Sequence, residues 1–238
     1  MTTACIIIPT TGADTLDKAV HSAVNQNHAS TVLVVIDGRE YAEKSRLILA
    51  KYLDYPDLEI LELPANTGAA GFFGHRIYAA TSFIVNQDYL LYLDQDNWYD
   101  PDHVSSQLAA CESHNWSWSH SLRKICDLNG DYLLDDNCES LGRWPTYVSD
   151  RSHLVDTSCF CVSRAVATQI GQSWYSGWGG DRQFLANANH RFPQWGGTGR
   201  HTVNYRLAGN PGSVTAQFFR DGNAVMSLRY QGQFPWLR

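Results

Sequence analysis

Two aspartates separated by one residue, Asp94 and Asp96, end an apolar run in "DYLLYLDQDN". Like charges on one tight loop repel unless a cation lies between them. A hard divalent ion such as Mg2+ or Mn2+ takes a few protein oxygens and completes its shell with water or substrate phosphates. The pair therefore points to metal-assisted binding of a diphosphate, with a solvated turn as the plainer alternative. A third acid, Asp181, follows a glycine-rich turn in "GWGGD" and opens a helical stretch, where the helix dipole favours a carboxylate. "NTGAAGFFGHR" sets Gly68, Gly71 and Gly74 three residues apart. It has neither the Gly-Lys-Ser/Thr ending of a phosphate-cradling loop nor a G-x-G-x-x-G fingerprint, so close packing of a glycine face explains the spacing as well as a ligand does.

The elements that must hold these residues are legible from periodicity. "ACIIIPTT" is a continuous apolar run, the pattern of a strand buried on both faces, and "TLDKAVHSAVNQN" follows with apolar residues at helical spacing. The step recurs as "TVLVVID" then "EYAEKSRLILAKYL", and as "LEILELP" then a helix from about 69 to 85 that leads into "DYLLYLD". Four strands alternating with three helices predict a largely parallel sheet covered on both faces. Ligands of such sheets bind beyond the carboxyl ends of the strands. Thr10 and Thr11, Asp37 and Gly38, Asn66 and Gly68, and the stretch 94–97 are then the first residues to consider.

After Pro101 the rhythm changes. A helix is expected from about 102 to 114, a short strand at "WSWSH", and a hairpin around Asn129-Gly130. "HLVDTSCFCVSR" reads as a strand carrying Asp156, followed by a short helix to about 171 and another from about 181. The tail from Leu207 to Arg238 is polar and contains glycine, with no element assigned to it. "DLNGD" lacks the later glycine and the closing glutamate of a calcium loop.

Composition narrows the function classes. A net charge of −6 with no Lys/Arg cluster argues against a nucleic-acid track. No apolar run approaches the roughly 18 to 20 residues needed to cross a bilayer. "MTTACIIIPTTGADT" lacks a basic leader, so a cytoplasmic location is expected. Six cysteines without a C-x-x-C pair read as buried free thiols.

"IIIPTTGADTLDKAVHSAVNQN" with "TVLVVIDG", "NTG" with Arg76 downstream, "YLDQDN" and "GWGGD" stand in that order over about residues 4 to 190. In order and spacing they resemble the family 2 glycosyltransferases of the GT-A fold. The resemblance implies one α/β domain over 1–238: a mostly parallel central sheet with helices on both faces, plus a smaller mixed acceptor-side sheet. Residues 1–100 would form the nucleotide-sugar half and 101–238 the acceptor half. It implies transfer of a sugar, with inversion, from a UDP, GDP or dTDP sugar to a hydroxyl of a glycan or glycoconjugate.

The implied roles follow residue by residue. Asp94 and Asp96, with Gln95 between them, would hold Mn2+ or Mg2+ and the diphosphate. Pro9, Thr10, Thr11, Asn66, Gly68 and Arg76 would line the nucleotide, and Asp37 would receive the base unless it is only a turn residue before Gly38. The Trp-Gly-Gly-acidic turn looks like that of β-1,4-galactosyltransferases. It would place Trp178, Gly179 and Gly180 at the acceptor, together with Asp156, and make Asp181 the general base. Here the family pattern is incomplete, because Arg182 follows and only one acid is present, and a helix-capping role for Asp181 stays open. His201, twenty residues beyond Asp181, would complete the metal site, with His190 as its competitor. Two other classes remain. A sugar nucleotidyltransferase wants a glycine-rich loop with Arg and Lys after the first strand, which "PTTGADT" does not supply. A non-catalytic carbohydrate-binding relative would keep the fold alone.

Overall fold

A computed structural model describes residues 2–208 and 213–237. The apolar run becomes strand β1 (Ala4–Thr10), buried at every residue, as a strand covered on both faces must be. Helix α1 (Leu16–Val24) turns Leu16, Ala19, Val20 and Ala23 inward. Then come β2 (Thr31–Ile36), α2 (Ala42–Leu49), β3 (Leu58–Glu62), α3 (His75–Ile84) and β4 (Tyr89–Tyr92). The four strands pair in parallel in the order β3-β2-β1-β4, with Ile6 beside Val32 on one side and Leu91 on the other. The chain thus reverses direction across the sheet between β1 and β4, and that switch point is where a crevice opens beyond the strand ends.

The second half continues with β5 (Trp98–Tyr99), α4 (His103–His114), β6 (Trp118–Cys126), β7 (Tyr132–Asp135), β8 (Phe160–Ser163), α5 (Arg164–Ile170), α6 (Gly180–Arg191), β9 (Trp195–Arg206) and α7 (Ala216–Arg229). The mixed strands do not close into a separate smaller sheet. β8 runs antiparallel along the free edge of β4, β6 follows it, and β9 joins β6 in parallel, so the nine strands among the described residues form one sheet. The Asn129-Gly130 hairpin links β6 to β7, with the Asp127 carboxylate accepting from the backbone of Asn129 and Asp131.

Four local expectations are corrected. The helix expected from 69 begins only at His75, because Ala70 (φ 61°) and Phe73 (φ 53°) take the left-handed conformation. Glycine at 68 permits this fold-back, since a Cβ there would lie 2.3 Å from the Phe73 carbonyl oxygen. The strand at "WSWSH" runs on to Cys126, held by β9 along its whole length. Asp156 precedes its strand and caps a short turn, accepting from the Ser158 N–H at 3.0 Å. The tail, apart from 209–212 and Arg238, which lie outside the described residues, contains α7. Its N-terminus is capped by the Thr215 hydroxyl accepting from Phe218 N–H. Its inner face, Phe219, Gly222 and Met226, joins a second core with Leu122, Ile125 and Trp236. The Gly222 that weakens the helical signal is a packing requirement, because a Cβ there would meet Cys138 Sγ at 2.6 Å.

All six cysteines are buried and unpaired. Among the described residues no helix is long and apolar enough to cross a membrane.

Candidate active site

A cavity of about 600 Å³ opens at the switch point. Asp94 and Asp96 follow β4 directly and line it, and Asp181, in the first turn of α6, lines it from the other half. None of the three is in an ion pair among the described residues. Tyr78, buried in α3, donates its hydroxyl to Asp94 Oδ1 at 2.8 Å. Burial, then repulsion from Asp96 and Asp156, pushes the Asp94 carboxyl up to about 8. Burial and then Asp156 also raise Asp96. Asp181 rises for the same two reasons, although the Arg182 N–H donates to its Oδ1 at 2.8 Å. Three carboxylates converge on one space, and although Arg182 and Arg206 also line it and oppose part of the shift, burial still raises all three, as at sites where acids serve a ligand.

Pro9, Thr10 and Thr11 line the cavity. Gln95 lines the cavity too and holds the first loop in place. Its Oε1 accepts from the Thr10 hydroxyl at 2.7 Å and the Thr11 N–H at 3.0 Å, so it clamps the first loop to the Asp94–Asp96 loop. Asp37 is buried and accepts from the Thr67 N–H (2.7 Å), the Thr67 hydroxyl (2.8 Å) and the Gly68 N–H (2.8 Å). Most of its acceptor capacity therefore goes to holding the loop that follows β3. Asn66 lines the cavity, and its Oδ1 is buried with no partner among the described residues. Arg76 lies outside the lining. Its guanidinium sits 3.5 Å over the Phe72 ring and donates to the Thr67 carbonyl at 3.2 Å, so it supports the loop.

Trp178 is 84% exposed at the cavity mouth, which removes core packing as its role. Gly179 (φ 85°) turns the chain into α6, and Gly180 packs so closely on His75 that a Cβ would lie 2.7 Å from Nδ1.

Asp156 belongs to a constellation that sequence reasoning missed. Arg123 on β6 is buried and donates to Asp136 Oδ2 from Nε (2.8 Å), to Asp156 Oδ2 from Nη1 (2.6 Å) and to Glu139. These acids sit on the one long connection from β7 to the turn at 157–159, Asp136 and Glu139 at its start and Asp156 at its end, and no local spacing announces their common partner on β6. Removing the cation would strand the buried carboxylates of Asp136 and Asp156 and leave half-buried Glu139 only Arg182, a loss of about 3–5 kcal/mol. Arg123→Met is expected to lower the urea midpoint accordingly, with an unchanged slope. Burial alone would raise Asp136, but Arg123 and the N–H groups of Cys138 and Ser140 outweigh it and hold the carboxyl below its ordinary range. The unfolded chain then takes up that proton first, so this stabilisation is full above pH ~4 and is lost as pH falls through the lower folded value. Arg123→Met is accordingly expected to lack that acid limb in a urea-by-pH series.

His201 is not brought to the aspartates. It lies on β9 with Nδ1 3.9 Å from Asp135 Oδ2. Arg206, five residues further on, is the β9 residue that reaches Asp96, donating to its carbonyl at 3.3 Å. Five strand residues span about 16 Å. His190 is exposed in the last turn of α6, away from the lining. Among the described residues no three His, Cys, Asp or Glu side chains are placed to hold a metal. Asp94 and Asp96 do fit a cation that arrives with its own phosphate ligands, the usual mode of Mg2+.

The family model "Glycosyl transferase family 2" matches residues 5–146. No curated protein sequence matches the chain. Among solved structures, S. aureus TarS 1–349 is similar at 15% identity and a TM-score of 0.66, covering 86% of this chain and 60% of that one. TarS 1–349 in complex with UDP-GlcNAc matches at 14% identity and 0.66, covering 97% and 66%. Its complex with UDP matches at 14% and 0.66, covering 95% and 65%. The chain thus spans less than two thirds of those TarS chains, and at such identities the likeness shows the fold. The likeness of "GWGGD" to β-1,4-galactosyltransferases rests on the sequence alone, and Asp156, Trp178, Asp181 and His201 lie beyond the matched segment. The matched segment covers more than half of the chain, from β1 through the diaspartate loop and the β6–β7 hairpin, and on that ground the chain belongs to glycosyl transferase family 2.

Proposed function

We propose that this protein transfers a sugar from a nucleotide diphosphate sugar to an acceptor hydroxyl, with inversion and with a divalent cation. The observation that carries the reading is the convergence of Asp94, Asp96 and Asp181 on one cavity, each raised by burial and none in an ion pair among the described residues. Asp94 and Asp96 would hold Mn2+ or Mg2+, and the ion would offset the charge that develops on the departing diphosphate. Pro9, Thr10, Thr11, Asn66, Gly68 and Asp37 would surround the nucleotide, with the free Asn66 Oδ1 a ready acceptor for a base or ribose donor. UDP is the favoured nucleotide, in keeping with the TarS complexes.

Asp181 would accept the acceptor's hydroxyl proton. The oxygen then bonds to the anomeric carbon as the bond from that carbon to the diphosphate oxygen breaks, and the diphosphate leaves with the electron pair. Inversion requires the base and the leaving group on opposite sides of the sugar. Here the base is carried by α6 and the diphosphate site by the β4 loop.

A melting series with UDP, GDP, dTDP and CDP, with and without Mn2+, tests the reading. A ligand at 100 times its Kd stabilises the native state by about 2.7 kcal/mol. UDP with Mn2+ is expected to raise Tm, and neither alone to match it. The absence of a shift with every nucleotide would remove the donor assignment and favour a binding module.

A further inference from the structure

A tyrosine buried in a core needs a partner for its hydroxyl, and a backbone carbonyl is enough. Tyr99 is satisfied in that way, donating to the Tyr92 carbonyl at 2.7 Å. Tyr78, also buried, on α3, is not. Its hydroxyl goes to Oδ1 of Asp94, a carboxylate that lines the cavity, at 2.8 Å. Aromatic neighbours fix the phenol in place. Its ring lies 5.0 Å from that of Tyr92 and 5.5 Å from that of Trp174, which stacks on Phe184 at 4.4 Å.

Asp94 is held through its backbone as well. Its N–H donates to the Ser158 hydroxyl at 3.3 Å and the Asn97 amide donates to the same oxygen at 3.0 Å, which ties the loop after β4 to the turn at 157–159. Oδ2 of Asp94 is then left without a hydrogen-bond partner among the described residues, at the wall of the cavity. A carboxylate anchored in this way offers a cation one oxygen. Mg2+ asks for a near-ideal octahedral shell completed by water and phosphate, whereas Ca2+ takes roughly six to eight oxygens and accepts both from one carboxylate. Among the described residues no third acid or histidine is placed to make up a larger shell.

We propose that Tyr78 is a positioning residue that holds Asp94 as a one-oxygen ligand and thereby sets the site for a small octahedral ion, Mg2+ or Mn2+, against Ca2+. This rests on Asp94 and Asp96 taking the divalent cation, and it goes further by naming the residue that selects the ion. Partners that orient a metal-binding carboxylate tune affinity by about 10–100-fold. Here the partner comes from α3, 16 residues before the aspartate, and its packed ring keeps the hydroxyl from following the carboxylate when that turns. Phenylalanine at 78 would preserve the packing and release Oδ1. Asp94 could then rotate and give a larger ion both oxygens.

Calorimetric titration of UDP with Mn2+, Mg2+ or Ca2+ in saturating excess tests the assignment in the wild type, Tyr78→Phe and Trp174→Phe, with each ion alone as a control. The nucleotide is then ion-bound throughout, and the ratio of Kd values reads the protein's own preference. The wild type is expected to bind UDP at least about tenfold more tightly with Mn2+ than with Ca2+, and Tyr78→Phe to narrow that ratio to about threefold or less. Trp174→Phe loosens the aromatic packing and leaves the hydroxyl bond in place, so it should lower Tm with the ratio unchanged. A merely structural Tyr78 would weaken UDP binding equally with every ion. An unchanged ratio in Tyr78→Phe, or one that falls as far in Trp174→Phe, overturns the role of Tyr78 and leaves the cation site standing. So does a wild type that binds UDP as tightly with Ca2+ as with Mn2+, whether or not the variants fold. UDP binding that depends on no divalent ion in the wild type would remove the cation site itself, and this role with it.

Discussion

Asp181→Asn is expected to lower sugar transfer by about 10²–10⁴-fold, the usual worth of a positioned general base, with UDP and Mn2+ affinity nearly unchanged. The substitution keeps the size and the polar contact of the side chain. Asp181 Oδ1 accepts from the Arg182 N–H, and an amide oxygen can accept the same bond. What is lost is the capacity to take a proton. Single-turnover transfer and calorimetric UDP titration separate the two effects, and full activity in the variant would refute the assignment of the base. The wild-type rate carries a second signature. Burial and Asp156 raise the Asp181 carboxyl, and a base must be deprotonated to act. The rate should therefore fall as pH drops through a value above the ordinary aspartate range of about 3.9.

The second large effect has opposite signs with and without ligand. Asp94 titrates near 8 in the fold because burial and Asp96 oppose its charge, while the unfolded chain titrates near 3.9. Between those values the unfolded state loses its proton first, so folding becomes progressively less favourable from pH ~4 to ~8, and above ~8 the penalty is complete. Its size is on the order of a few kcal/mol. Asp94→Asn removes the charge and preserves the acceptor for the Tyr78 hydroxyl. Without divalent cation at pH 8–9, the variant should melt several degrees above the wild type. With UDP and Mn2+ present the order should invert, because only the wild type retains both carboxylates for the cation. A variant no more stable than the wild type when free of metal would show that the charge of Asp94 is compensated in the fold.

Opposed signs of this kind are what a site built for a ligand produces. The free protein bears the repulsion of Asp94, Asp96 and Asp181, and the fold carries that load on a large apolar core. The Arg123 cluster is the contrasting case. Its three acids have their cation within the protein, and its worth is structural.

Much of this was legible in the chain. The alternation of apolar runs and helical periods specified four parallel strands, and a buried parallel strand must be apolar at every residue, so the signal was strong. The loops that follow those strands line one cavity, because parallel strands point their carboxyl ends to one edge. Local rules failed where packing overrode them. α7 carries a glycine at a contact with Cys138, and that glycine masks its period. The helix at 69 was postponed to 75 by the fold-back at Gly68. The mixed strands joined the main sheet because β4 offered an unpaired edge, a fact that no local pattern contains.

The chemistry divides along the same line. The sequence by itself determined that two carboxylates close β4 and that a third opens a helix after a glycine turn, since identity and spacing are local properties. Only the tertiary structure decided that these acids face one cavity and that Gln95 and Arg76 brace loops. It also decided that Arg206 approaches Asp96 while His201 stays about 16 Å along the strand. Which side chains share a space depends on pairings between residues as far as 110 positions apart, and those are set by the packing of the whole sheet.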